Sequence, residues 1–310
     1  MKGISHSGFG APEVLAYGEL PDPIVHLDEA LVRVHAAGVN HLEAGIRAGF
    51  MTPFFNNFPP IIPGFDFAGE IVSAGYTFED YQPGDRVLGI ALKDYVKNGT
   101  YAELVAVPRR LLARVPEGLD LIEAAALPTA GLAAWQSLRP LIREGDTVFI
   151  NSASGGVGHI AVQLARHFGA STVVGACSPG NHEFVRSLGG LPTEYGPGIE
   201  SRVAELVGGD GRVDVVLDLV GDETLDSSFA IVRKPDHVVC LNPSTAEQRG
   251  GHFRTARPDQ NDLEELARLA STGDLHVEIS KTIPLELAAD AHHLIQDRHV
   301  RGKLVLSVKP

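Results

Sequence analysis

Apolar positions in the first third of the chain come in short runs cut by glycine and proline. Ala30-Leu31-Val32-Arg33-Val34-His35-Ala36 alternates in part, and Pro63-Gly64, Gly69, Gly75 and Pro83-Gly84 punctuate the stretch beyond it. Residues 101–107 and 111–115 extend the pattern to about Pro116. Short strands between such turns predict a small closed or partly closed β-barrel. After Pro116 the period changes. Residues 121–138 read as helix, interrupted near Pro128. From Asp146 onward apolar runs alternate with helical stretches: Val148-Phe149-Ile150 and a helix from Gly156, then Thr172-Val173-Val174 and a helix over 182–188. Further strands are expected at 213–217 and 237–241, helices at 263–269 and 287–295, and a last strand at 303–308. Strand and helix in alternation predict parallel strands joined by crossovers. The chain is expected to fold as two domains, one β-rich and one α/β.

Composition narrows the function classes. Hydrophobic residues make up 44% and charged residues 21% of 310, the balance of an ordinary folded protein. Lys and Arg number 26 against 39 Asp and Glu, a net charge of −13, which argues against nucleic acid or an anionic membrane as the main partner. Two cysteines, Cys177 and Cys240, form neither a disulfide framework nor a four-cysteine zinc site. The first residues lack the apolar core of a secretory signal, and the most apolar stretch, 124–135, contains Pro128 and is too short to span a bilayer. A cytoplasmic protein is expected.

The segment Val148-Phe149-Ile150-Asn151-Ser152-Ala153-Ser154-Gly155-Gly156-Val157-Gly158 carries the most chemistry. A buried strand runs into a glycine-rich turn and then a helix whose Val157, Ile160, Ala161, Leu164, Ala165 and Phe168 form one apolar face. Gly155 and Gly156 let backbone approach a pyrophosphate, and Gly158 permits tight helix–strand packing. The helix N-terminus supplies free N–H groups and the positive end of a dipole. The alternative is a plain turn in a domain that binds nothing; the strand before, helix after and second strand at Thr172 favour a dinucleotide. An NAD site usually carries an acid about 20 residues past the turn. Here the region reads Gly175-Ala176-Cys177-Ser178-Pro179-Gly180-Asn181-His182, with no acid before Glu183. Ser178, Asn181 and His182 can donate to a 2′-phosphate, so NADPH is the expected cofactor.

With these motifs the chain resembles the zinc-free branch of the medium-chain dehydrogenase/reductase superfamily, the NADPH:quinone oxidoreductase-like proteins. Gly38-Val39-Asn40 with Ile46-Arg47-Ala48-Gly49 is similar to the family's GVN…IRSG segment, and Pro63-Gly64-Phe65-Asp66-Phe67-Ala68-Gly69-Glu70-Ile71-Val72 to its PGxDxxGxV signature. Gly84-Asp85-Arg86-Val87, Ala125-Ala126-Leu127-Pro128, the glycine turn, Asp218-Leu219-Val220-Gly221 and Arg301-Gly302-Lys303-Leu304-Val305-Leu306 follow in family order. The resemblance implies a GroES-like β-barrel domain over 1–117, completed by about 270–310, and a Rossmann doubly wound parallel sheet over 118–269. It also implies an active site in a cleft between them, and a homodimer. Where the zinc-dependent branch has Gly-His-Glu this chain has Gly64-Phe65-Asp66, and no cysteine falls in 88–101, where that branch has a structural zinc lobe. His41, Glu43 and Asp66 are read as polar surface or turn residues, and no metal is expected.

Without a metal to polarise an alcohol, the expected chemistry is hydride delivery from NADPH to an electrophilic carbon of a quinone or an α,β-unsaturated carbonyl. The resemblance assigns Asn40 a place near nicotinamide and substrate, with stabilisation of a turn as its plainer role. Ser152 and Val157 are expected with the glycines at the cofactor; the resemblance sets Tyr195 near the adenosine phosphate, with packing as its plainer role. Leu241 and Asn242 end a strand at the carboxyl edge of the sheet, where ligands gather, and are expected beside the nicotinamide. Three positions depart from the family: Asn181 where a lysine is common, Ala133 where a threonine approaches the nicotinamide, and Gly45 where some quinone reductases have a tyrosine. The aromatic segment 50–58 is expected either to line the cleft or to pack beneath a loop, and His292-His293 to be a solvated or half-buried pair. Two other functions stay open: an NADPH-binding structural or RNA-associated protein without catalysis, and an enoyl reductase of a biosynthetic pathway.

Overall fold

A computed structural model describes residues 1–308 except 77, 94 and 243. The chain divides into two units, Met1–Thr129 with Pro258–Pro310, and Ala130–Arg257. The first unit opens with the hairpin β1 (Lys2–Ser5) and β2 (Ala16–Glu19), followed by β3 (Glu29–Val39) and α1 (His41–Ala48). Next come β4 (Asn57–Ile62), β5 (Asp66–Ala74), β6 (Arg86–Ile90) and β7 (Val96–Asn98). β8 (Leu104–Pro108), β9 (Leu112–Arg114) and α2 (Leu121–Ala126) complete this stretch. α3 (Pro128–Leu138) leads from the first unit into the second, which continues through β10 (Thr147–Ile150), α4 (Gly158–His167), β11 (Thr172–Ala176) and α5 (His182–Ser187). It continues with β12 (Leu191–Thr193), α6 (Ile199–Val207), β13 (Val215–Asp218), α7 (Asp222–Ile231), β14 (Val238–Cys240) and β15 (His252–Phe253). The chain then returns to the first unit with α8 (Gln260–Ser271), β16 (Ile279–Pro284), α9 (Ala288–Gln296) and β17 (Lys303–Ser307).

The long strand β3 organises the first unit. Its first half pairs antiparallel with β8 and its last residues with β17, while β5 runs along the opposite edge. The sheet order is β16-β17-β3-β5-β6-β9 with β8 attached to β3. Register slips against β5 at Leu31/Val32 and Val34/Ala36 bend the strand. Val32, Val34, Phe67, Ile71, Leu112, Leu304 and Leu306 meet in one buried cluster. α2 lies close against β3 because Gly38 has no side chain: a Cβ there would come within 2.5 Å of the Ala125 carbonyl oxygen and 2.9 Å of Asp66 Cβ.

In the second unit the strands are all parallel, in the order β12-β11-β10-β13-β14-β15. Counted from β10 this is 3-2-1-4-5-6, the doubly wound order that binds dinucleotides where strand order reverses, beyond the carboxyl ends of its first and fourth strands. Both faces are covered, so Val148, Phe149, Ile150, Val215, Val216 and Leu217 are almost wholly buried.

Several elements differ from the sequence pattern. β12 and β15 are three and two residues long, too short to register as apolar runs. β16 buries only Ile283 among six residues. The helix after the glycine turn starts at Gly158 rather than Gly156. The units divide at 129/130 and 257/258 rather than at 117/118 and 269/270. α2 packs on β3 and β5, and α8 on β9, so both helices belong to the first unit.

Candidate functional site

The turn after β10 is held from both sides. Asn151 N donates to the Leu217 carbonyl at 3.0 Å and Ala153 N to the Ala176 carbonyl at 2.8 Å, which ties the turn to the ends of β13 and β11. Between them Ser152 adopts φ +59, a left-handed conformation that costs a non-glycine residue and is held here by its surroundings. A Cβ on Gly158 would lie 2.1 Å from the Ser152 carbonyl oxygen, so only glycine lets α4 start directly beneath the turn. His159 Nδ1 donates to the Gly155 carbonyl at 2.9 Å. Ser152, Gly155, Gly156, Val157 and Gly158 are thus brought together at a helix N-terminus, whose first N–H groups have no partner within the helix.

At the end of β11 the structure assembles a polar set without charge. Asn181 Nδ2 donates to Ser178 Oγ at 3.1 Å and to Ser154 Oγ at 3.2 Å. Ser154, from the glycine turn, joins the site without having been singled out by its motif. His182 is half-buried, and its Nε2 is a buried atom with no hydrogen bond among the described residues. Tyr195 stands out from the surface with 61% exposure. Leu241 and Asn242 follow β14, and Asn242 Nδ2 donates to the carbonyls of Leu219 and Val220 at 2.8 and 3.0 Å, tying the loop after β14 to the loop after β13. Cys177 and Cys240 are buried thiols, and burial pushes Cys177 up to about 11, so neither is a thiolate nucleophile at neutral pH.

Asn40 lies in the first unit, 8% exposed, at the junction of β3 and α1. Its Nδ2 donates to Glu43 Oε1 and to Asp66 Oδ2, both at 3.0 Å, and its Oδ1 accepts a short hydrogen bond from Lys303 Nζ. Lys303 also donates to the Val39 carbonyl at 3.2 Å and stands 3.8 Å from Asp66 Oδ2. Thr129 donates to Asp66 Oδ1 through both its N–H and its hydroxyl. Burial raises the Asp66 carboxyl and lowers the Lys303 amine, and the pair opposes both shifts by attraction. Glu43 feels the same ammonium only weakly. Burial, then the neighbouring Asp66 charge, pushes it up to about 8.

Glu43 and Asp66 are therefore buried, not the surface or turn residues their sequence context suggested; they are 2% and 0% exposed. Lys303 appeared only as one member of a motif. A signal was present in each case: Asp66 interrupts an apolar strand, Lys303 begins one, and Glu43 shares a helix face with Ile46. His292 is fully buried, correcting the solvated or half-buried expectation, while His293 is exposed and pairs with Glu13 at 2.7 Å. Phe50, Phe54 and Phe58 are 77%, 62% and 52% exposed, which excludes core packing beneath a loop. Among the described residues no three His, Cys, Asp or Glu converge as metal ligands, and no helix is long and apolar enough to cross a membrane.

Residues 26–117 match the alcohol dehydrogenase GroES-like domain, and residues 198–306 match the family described as zinc-binding dehydrogenase. An Arabidopsis thaliana chloroplastic NADPH-dependent alkenal/one oxidoreductase is 30% identical over 99% of this chain and 79% of its own. The quinone oxidoreductase of Coxiella burnetii superimposes with a TM-score of 0.87 at 32% identity, over 100% of this chain and 99% of the other. The chain belongs to the quinone oxidoreductase-like family of medium-chain dehydrogenases/reductases. It is an oxidoreductase whose first unit is GroES-like and whose second is the Rossmann domain. An NAD-dependent alcohol dehydrogenase of the same fold gives a TM-score of 0.91 at 28% identity over all of both chains, so fold alone does not select the cofactor.

The Glu43 shift has a consequence for stability. Its folded pKa lies above its unfolded value, so the folded state holds an extra proton between about 4.5 and 8. The stabilisation is complete below that window and is lost as pH rises through it. Urea titrations at several pH values are expected to show the native protein losing stability across the window relative to Glu43→Gln. Parallel curves would show that Glu43 titrates normally.

Proposed function

We propose that this family member is an NADPH-dependent, metal-independent reductase of quinones or α,β-unsaturated carbonyls. What supports it above all is the glycine turn at the strand-order reversal, flanked by Ser154, Ser178, Asn181 and His182 and by no acid at the end of β11. A carboxylate there would select a ribose 2′-hydroxyl; hydroxyl, amide and imidazole donors accept a 2′-phosphate instead. The orphaned Nε2 of His182 fits such a ligand. The related Arabidopsis enzyme is itself named as NADPH-dependent.

Bound NADPH supplies the hydride, and conjugation in the acceptor carries the resulting charge onto its oxygen. The chain's part is to hold and orient. Backbone N–H groups over 156–158 would bind the pyrophosphate, beside Ser152 and Gly155, whose own N–H groups are already engaged; Ser178, Asn181 and His182 would take the 2′-phosphate, and Tyr195 the adenosine end. Leu241 and Asn242 border the nicotinamide. Asn40 orients the acceptor's carbonyl, but both its N–H bonds already serve buried carboxylates. Sharing one of them makes Asn40 a weaker donor to developing charge than a free amide would be. A cation at Glu43 and Asp66 would face the Lys303 ammonium 3.8 Å from Asp66, which favours metal-free chemistry. We further take the protein to act as a cytoplasmic homodimer.

Calorimetry is expected to give tighter binding of NADPH than of NADH by tenfold or more, about 1.4 kcal/mol. Asn181→Asp should remove that preference by setting a carboxylate against the phosphate, and tighter NADH binding by the native protein would refute the cofactor choice. Elemental analysis of purified protein should find no stoichiometric zinc, and chelators should leave turnover unchanged; one tightly held zinc per chain overturns metal independence. With a panel of quinones, enones and enoyl thioesters, NADPH oxidation should be fastest on free quinones or enones. Asn40→Ala should lower kcat/KM by less than ~10²-fold. Binding without turnover points to a non-catalytic protein, and a preference for thioesters to a pathway enoyl reductase.

A further inference from the structure

Around Glu43, which bonds Asn40, the first unit contains a group of polar atoms that make no hydrogen bond among the described residues: His6 Nε2, Glu43 Oε2, Arg47 Nε, Tyr101 Oη and both ring nitrogens of His292. The five side chains are 3%, 2%, 1%, 0% and 0% exposed. They are neighbours. Tyr101 and His292 meet edge to face with ring centroids 5.8 Å apart. α1, which carries Glu43 and Arg47, packs on α9, which carries His292. The charge of Arg47 is felt at both His6 and His292, and that of Glu43 at Tyr101. Each such atom left dry carries the full cost of desolvation, so the whole group would rival the net stability of a domain. Water, which donates and accepts, removes that cost where several polar partners converge. We propose that His6, Glu43, Arg47, Tyr101 and His292 enclose a chamber of ordered water, through which Glu43 keeps an exchangeable proton and acts as a positioning residue for Asn40.

The chemistry of the chamber is consistent with this. Burial lowers both imidazoles, His292 to about 3, so they are neutral. The Nδ1 of His6 donates to the Gly8 carbonyl at 3.0 Å, which leaves its Nε2 as an acceptor. Glu43 Oε1 accepts from Asn40, so its proton sits on Oε2 and faces the chamber. Its other charged neighbours are Asp66 on β5, which opposes ionisation, and Lys303 on β17, which favours it less strongly. α9 adds Asp290 and His293 on its exposed side, and the single turn at Pro12–Val14 adds Glu13, paired with His293. When the Oε2–H bond breaks, the proton passes to water and the electron pair stays on Glu43. Asn40 Nδ2 then lies between two carboxylates, is drawn more tightly to them, and is less available to a substrate carbonyl.

That last step rests on the reductase function proposed above; the chamber does not. Infrared difference spectra of the full-length protein against Glu43→Gln test the chamber directly. We expect the carbonyl stretch of a protonated carboxylic acid at neutral pH, titrating with a midpoint near 8 and shifting promptly in D₂O. Tyr101→Phe should shift the same band, which keeps the test open if Glu43→Gln does not fold. No acid band at neutral pH, or one that D₂O leaves unmoved, overturns the proposal. With an enone, kcat/KM should fall several-fold as pH rises through the midpoint in the native protein and stay level in Glu43→Gln, with the NADPH KM unchanged in both. An identical fall in the variant removes Glu43 from positioning. An exchanging acid band in a protein that turns over no acceptor supports the chamber and condemns the reductase reading alone.

Discussion

An ammonium group taken wholly out of water has to be compensated where it lies, and the first unit is arranged around that demand at Lys303. Its Nζ finds the Val39 carbonyl, the Asn40 amide oxygen and the Asp66 carboxylate. These partners come from β3, from the residue that follows it, and from β5, while Lys303 itself begins β17, which pairs with the end of β3. One charge therefore fastens the returning C-terminal strand to the two central strands of the sheet. Losing either member of such a pair strands the other, typically at about 3–5 kcal/mol, whereas the intact pair adds little net stability. What the pair confers is a fixed geometry.

Asn40 inherits that geometry. An amide has one acceptor and one two-hydrogen donor, and here all are engaged, by Lys303 on one side and by Glu43 and Asp66 on the other. The side chain is immobilised in a single orientation. Gly38 permits this by letting α2 and Asp66 come close to β3. Thr129, just beyond α2, holds the second oxygen of Asp66. Turn chemistry, a missing Cβ and a buried ion pair act together on one amide.

The second unit solves a different problem, which in the function proposed here is the presentation of backbone donors to an anion. It does so with strain held locally: Ser152 in a left-handed conformation, anchored by hydrogen bonds to the ends of both neighbouring strands. In the proposed function selectivity lies with the end of β11, where Asn181 gathers two serine hydroxyls. The same scaffold serves a related NAD-dependent alcohol dehydrogenase and a related NADPH-dependent alkenal/one oxidoreductase. The few side chains around the turn, rather than the sheet, are what can differ.

The amino-acid sequence by itself determined the elements whose signal is local. Period-two and period-3.6 patterns place most strands and helices. The run from Val148 to Gly158 specifies a strand, a turn and a helix from adjacent residues, and the absence of an acid before Glu183 is visible without a structure. Charge compensation is not local. Glu43 follows Asn40 by one helical turn, Asp66 lies 26 residues beyond Asn40, and Lys303 lies 263 beyond it. Nothing in their immediate neighbours says that they meet, so Glu43 and Asp66 looked like surface or turn residues and Lys303 like one member of a motif. His292 likewise became a buried, unpartnered imidazole only when α9 packed on α1 and Tyr101. Short edge strands such as β12 and β15 escaped notice because pairing with a neighbour, rather than any apolar run of their own, makes them strands. Local propensity and spacing are written in consecutive residues, whereas burial and the pairing of charges are properties of the packed chain.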